Sequence, residues 1–201
     1  MAFVEEYATL WGPMPPHFCT RAAVGAVALP VDDATVARFF AKCAPVDDHG
    51  HRWWLGAIDD GGYSRFQAGS GVATLVTTTA HRFADTLARG PIPPGIVARH
   101  RCDEPLCTAD EHLERGTVAD NSWDMVARPD RAADRDERGC AGRSRAIRAA
   151  ILGVLARGVT NSAAIGAAAR AAMLRGDPYR HQLTLWPLPD IAGVTSPRLA
   201  R

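Results

Sequence analysis

Residues 100–121 read HRCDEPLCTADEHLERGTVADN, and in them His100, Cys102, Cys107, His112 and Asn121 stand in the order H-x-C-x4-C-x4-H-x8-N. The whole chain of 201 residues holds only five cysteines and seven histidines, so four of them within thirteen positions need a cause. Two thiolates and an imidazole at these spacings fill three corners of a tetrahedral zinc site. A second histidine and an asparagine remain, and both point to catalysis.

The flanking residues give the stretch a shape. Ile96-Val97-Ala98 is expected to form a short strand running into His100. The cysteines then lie on a loop, a short segment follows at His112-Leu113, and a helix is predicted from Thr117. Asp120, three residues after Thr117, makes a capping-box-like start. His100 thus ends the first strand of a ββα arrangement, and Asn121 lies one turn into its helix. That order suits phosphodiester cleavage. A neutral imidazole takes a proton from water, which attacks phosphorus. A divalent cation is needed at the leaving oxygen, and Asn121 offers a neutral oxygen for a hard ion such as Mg2+ or Mn2+. Zinc on Cys102, Cys107 and His112 is then structural, shaping a loop too short and polar to fold alone.

Outward from this core, residues 1–45 read as two short helices around the turn Gly12-Pro13-Met14-Pro15-Pro16. Asp32 or Asp33 caps the second, whose apolar face is Val36, Phe39 and Phe40. From His51 the pattern becomes β-like: Trp53–Ile58, Tyr63–Phe66 and Val72–Thr78, separated by Asp59-Asp60-Gly61-Gly62 and Gly69-Ser70-Gly71. A helix at about Ala80–Ala88 stops at Gly90, ahead of Pro91-Ile92-Pro93-Pro94. Residues 129–145 are charge-dense and read as a linker. Beyond it come alanine-rich helices at about Ser144–Arg157 and Asn161–Leu174, within a basic C-terminal region of residues 146–201. The ββα core is taken to span residues 46–128, and the fold class is α+β: a small antiparallel sheet and zinc-stapled core, flanked by N-terminal helices and a C-terminal helical pair.

Charge is unevenly spread although the net formal charge is +1. Residues 143–201 carry nine arginines against Asp177 and Asp190. This suits contact with polyanions, or equally a solvated helix face. The helical pair therefore reads either as a reader of a DNA groove or as a packing or oligomerisation element. Five cysteines, two of them beside histidines, fit metal binding in a reducing compartment better than a disulfide framework. Met1-Ala-Phe-Val meets Glu5-Glu6 at once and no apolar run reaches membrane-spanning length, so a cytoplasmic protein without membrane contact is expected.

The chain resembles the HNH or ββα-metal nucleases of phage and mobile elements, and the related His-Cys box homing endonucleases. The resemblance covers roughly residues 51–128. It is carried by Trp53-Trp54-Leu-Gly56, Gly62-Tyr63-Ser-Arg65-Phe66, Ala80-His81-Arg82-Phe83, Gly90-Pro91-Ile92-Pro93 and the stretch from His100 to Met125. It implies a DNA endonuclease acting on double-stranded DNA as a monomer or homodimer, in a restriction or homing setting. By position it implies His100 as general base, Asn121 as ligand of the catalytic Mg2+, and Cys102, Cys107 and His112 as zinc ligands. The fourth zinc ligand of the His-Cys box branch comes from upstream, where this chain has His51, with Cys43 and Cys19 as alternatives. Arg65, with Arg82 behind it, is the candidate for the catalytic arginine. Many such nucleases carry an acidic or histidine ligand just before the general base, and here that residue is Arg99. The alternative is a catalytically weak or inactive, zinc-stabilised DNA-binding or regulatory protein that keeps the fold without turnover.

Overall fold

A computed structural model describes residues 28–71, 75–127 and 135–179 of the chain. The expected first N-terminal helix, the start of the strand expected at Val72, Cys19 and the tail beyond residue 179 lie outside the described residues. What is described is a mixed α+β structure with small antiparallel sheets.

Helix α1 (Asp33–Phe40) starts where the sequence places a cap: Asp32 accepts hydrogen bonds from the Thr35 backbone and hydroxyl, each at 2.9 Å. Of its expected apolar face, Phe39 is fully buried while Phe40 stays 46% exposed. Three strands follow, β1 (Ala57–Ile58), β2 (Ser64–Ala68) and β3 (Val76–Thr79), in an antiparallel sheet of that order. On β2 the alternation is strict, with Ser64, Phe66 and Ala68 inside and Arg65 and Gln67 outside. The strand expected at Trp53–Ile58 is shorter than predicted. Trp53 and Trp54 form single bridges instead, to Cys107 and Cys43 respectively, because their backbones are taken up by two different loops. The Trp54 N–H donates to Leu106 at 2.9 Å, and the Trp53 carbonyl accepts from Ala44 at 2.8 Å.

β3 runs directly into α2 (Ala80–Arg89), which ends on Gly90 at φ 77°. Strand β4 (Ile96–His100) pairs antiparallel with β5 (Leu113–Thr117), placing His100 opposite Leu113. A single 3-10 turn, Asp110–His112, joins the metal-type loop to β5. α3 (Val118–Ala127) follows without a gap. Its predicted box is formed: Asp120 Oδ2 accepts from the Thr117 N–H at 2.7 Å and hydroxyl at 2.8 Å, while the Asp120 N–H donates to Thr117 Oγ1 at 3.1 Å. α2 is tied to β5 through the buried carboxylate of Asp85, which accepts from Arg89 at 2.9 Å and Arg115 at 2.7 Å.

The C-terminal pair is α4 (Gly139–Leu155) and α5 (Ser162–Gly176), the second capped by Asn161. α4 begins inside the stretch expected as a linker. The physical reason is that Asp136, Arg138 and Arg143, near its start, are paired rather than solvated. Asp136 accepts from the Arg138 side chain at 2.8 and 2.7 Å, and Arg143 is buried against Glu104. Gly62 shows how closely α4 sits on the sheet. It has φ +86° in the turn after β1, and a Cβ there would lie 2.8 Å from the Cys140 carbonyl.

The core begins with four aromatic rings. Phe39 lies 5.6 Å from Trp54, 5.4 Å from Phe66 and 5.0 Å from Phe83, centroid to centroid. Ile147, Ile151, Ile165, Ala169 and Ala172 of α4 and α5 are buried in the same cluster. Among the described residues, no helix is long and apolar enough to cross a membrane.

Candidate metal centre and the adjoining histidine

Four metal-type side chains from two separate stretches meet between the 51–54 segment and the loop after β4. Ligand atoms of His51, Cys102 and His112 lie within 4.8 Å of one another. Cys107 joins them, with its Sγ 3.5 Å from His112 Nδ1. The local chain makes this possible. The Arg101 N–H donates to the His112 carbonyl at 2.9 Å, closing the loop end to end. Residues 52–54 meanwhile lie alongside 106–108, with the Thr108 N–H donating to the Arg52 carbonyl at 2.8 Å. Asp103 adopts φ 56° in the bend after Cys102, a left-handed conformation that aspartate tolerates better than most residues.

The electrostatics match a thiolate site. A hydrogen bond from the Cys107 thiol, with a further contribution from His51, depresses the pKa of Cys102, and the same shared proton raises that of Cys107. Burial alone would lower His51, but the contacts with Cys102 and Asp47 outweigh it and raise its pKa. Two imidazoles and two sulfurs, one of them already inclined to ionise, form a donor set suited to zinc. Cys43 stands apart from it. Its Sγ donates to the Phe39 carbonyl at 3.4 Å and lies 3.7 Å from the Thr108 hydroxyl, and burial pushes its pKa up to about 11.

Support for His51 comes from residues the motif did not single out. Asp47, 6% exposed, accepts from the backbone N–H of His49 and His51 at 2.9 Å each and from the Trp53 indole at 2.8 Å. Its Oδ1 is 3.4 Å from His51 Nδ1, with no hydrogen bond between them, so the carboxylate acts on the ring through its charge. The Trp53 ring stacks on His51 at 4.8 Å with 24° between planes. Aspartates are common and D-x-x-x-H is a weak signal, so Asp47 was not legible from sequence.

His100 ends β4 beside this cluster. Its Nε2 lies 3.0 Å from the Cys107 carbonyl oxygen. A carbonyl can only accept, so Nε2 carries the hydrogen and the Nδ1 lone pair is left available. Burial lowers the His100 pKa. His81 on α2 packs edge-on against it, with ring centroids 4.5 Å apart. His81 is 6% exposed and its Nε2 lies 3.3 Å from the Thr79 hydroxyl, while its buried Nδ1 has no partner among the described residues. Burial, then His100 and Arg82, hold its pKa well below the usual histidine range.

The remaining expected residues are placed less closely. Asn121 is half-buried in the first turn of α3, and its amide engages none of the described side chains. Arg65 faces outward on β2, opposite Thr79 in the register. Arg82 is half-buried, and its Nε has no partner among the described residues. Arg99 is occupied by ion pairs to Glu114, at 3.0 Å, and to Asp124.

Two curated proteins share sequence with the chain. Protein 7.7 of Escherichia phage T7 is 41% identical over 75 residues, 37% of this chain and 54% of that protein. Protein 2.8 of the same phage is 36% identical over 73 residues, 36% of this chain and 47% of that protein. The chain thus spans about half the length of these relatives, and neither name states an activity. No protein-family model and no solved structure matches the chain.

Proposed function

We propose that the protein is a metal-dependent endonuclease of double-stranded DNA, with a ββα-metal core formed by β4, β5 and α3 and stapled by a structural zinc. The observation that carries the reading is the His100 ring, with Nε2 bound at 3.0 Å to the carbonyl of Cys107. Cys107 is itself in the ligand cluster, so the loop shaped by zinc also sets the tautomer of the candidate base. A protein that only binds DNA has no need of an imidazole held this way.

In the reaction, Nδ1 of His100 accepts a proton from water and the water oxygen attacks phosphorus as the bond to the 3′ oxygen breaks, the departing oxygen taking its proton from solvent. Asn121 is the residue that would hold Mg2+ or Mn2+, which when bound supplies charge stabilisation at the phosphate and its departing oxygen. Arg65 is assigned to the DNA backbone, where a guanidinium pairs well with phosphate. His51, Cys102, Cys107 and His112 are assigned to zinc. The setting is cytoplasmic, in restriction or homing.

Supercoiled plasmid incubated with the full chain and Mg2+ tests the proposal. Relaxed or linear DNA is expected. DNA that stays supercoiled with Mg2+ and Mn2+ across pH 6 to 9 would leave the zinc-stabilised DNA-binding protein as the better reading.

A further inference from the structure

Each of the two segments that deliver ligands to the metal centre is gripped by an arginine from the C-terminal helices. Glu104 lies in the loop between Cys102 and Cys107, and its two carboxylate oxygens accept from the two Nη groups of Arg143 at 2.6 and 2.7 Å. Arg143 is only 3% exposed. Burial would lower its pKa, but Glu104 outweighs it and the net shift is upward. Asp48 lies three residues before His51, and its two oxygens accept from the two Nη groups of Arg170 at 2.8 and 3.0 Å. Arg170 and Gly166 lie one turn apart on α5, and a Cβ on Gly166 would overlap the Asp48 carboxylate. The backbone is therefore pressed onto this turn as well as paired with it.

Fork-to-fork pairs fix direction as well as distance, and a buried arginine cannot give up its partner without stranding a charge. α4 holds the first segment and α5 the second, and the two helices share buried Ile147, Ile151, Ile165 and Ala169. His51 and Cys102, about fifty residues apart in the chain, are thus connected through this rigid pair. Glu104 and Asp48 lie outside the ligand cluster itself.

We propose that α4 and α5 form a clamp that sets metal affinity, with Arg143 and Arg170 as positioning residues acting through Glu104 and Asp48. The inference rests on the metal-centre reading above. Coupling of this kind is reciprocal: helices that tighten zinc binding must themselves be tightened by zinc.

The test uses the full chain and a chromophoric chelator competing for zinc. Removing Arg143 leaves Glu104 unpaired in a half-buried site and endangers folding, so the surface pair carries the experiment. Arg170→Ala and Asp48→Asn should each weaken zinc about two- to fivefold, the size of effect an exposed ion pair carries. The double variant should weaken it no further than either alone, the mark of a shared interaction. Arg175→Ala, on the exposed side of α5, should leave affinity unchanged. Zinc should also slow amide exchange in residues 162–176. Equal zinc affinity in all variants, or exchange in α5 indifferent to bound zinc, would overturn the clamp while leaving the metal centre standing. A chain that takes up no zinc would overturn both. None of these readouts depends on DNA cleavage.

Discussion

At the scale of the residue, the proposed chemistry depends on which nitrogen of His100 is free. The bond to the Cys107 carbonyl fixes that choice, so changes to the loop should reach the base. Cys107→Ser is expected to lower cleavage and to reduce zinc content, measured by elemental analysis, from about one ion per chain toward zero. His81 gives a second test. Its ring limits the space around His100, so His81→Ala should lower kcat by more than it changes KM, because the base loses its orientation and not its DNA contacts. The metal-type residues were legible in the sequence because Cys and His are scarce there. Asp47, Asp48 and Glu104 were not legible, since carboxylates are plentiful and only folding reveals which of them meets an indole or a guanidinium.

Helix starts and sheet faces are where local sequence spoke most clearly at the scale of the element. The pairing of Thr117 with Asp120 marked the start of α3, and the structure forms that box with the geometry the motif requires. Hydrogen bonds from the Thr117 backbone, then its hydroxyl, lower the Asp120 pKa below the ordinary carboxylate value. A carboxylate with a depressed folded pKa stabilises above its unfolded pKa, and that support disappears as pH falls through the folded value. Asp120→Asn should therefore reduce stability near neutral pH and flatten its fall between about pH 5 and pH 3, followed by thermal melting against pH. Element boundaries set by distant partners were harder to read. The tryptophan pair at 53–54 suggested a continuous strand, yet each backbone bonds to a different loop. The start of α4 was hidden because a run of charges looks solvated until its partners are known, and Arg143 finds Glu104 thirty-nine positions away.

For the molecule as a whole, one buried cluster joins α1, the three-stranded sheet, α2 and the C-terminal helices. Phe39→Ala should destabilise by about 3–5 kcal/mol, the usual range for deleting a fully buried phenylalanine, measured by denaturant unfolding. Ending the chain after residue 127 should do more than remove an appendage. It would uncover the surfaces that Ile147, Ile151 and Ile165 bury, and the product is expected to melt at lower temperature and bind zinc more weakly than the full chain. A free DNA-reading appendage would leave both unchanged. The sequence favoured neither role for these helices, because alanine-rich faces carry few anchors. The ion pairs from Arg143 and Arg170 distinguish packing from solvation, and those partners emerge only in the fold.

Single-turnover cleavage of supercoiled plasmid with Mg2+ tests the role of His100, comparing the intact chain with His100→Ala at matched zinc content and matched DNA binding. The general-base role of His100 predicts that the intact chain cuts and that His100→Ala cuts about 10²–10⁴-fold more slowly, the range such a base contributes. Equal rates for the two proteins, or no cutting by either, would contradict it.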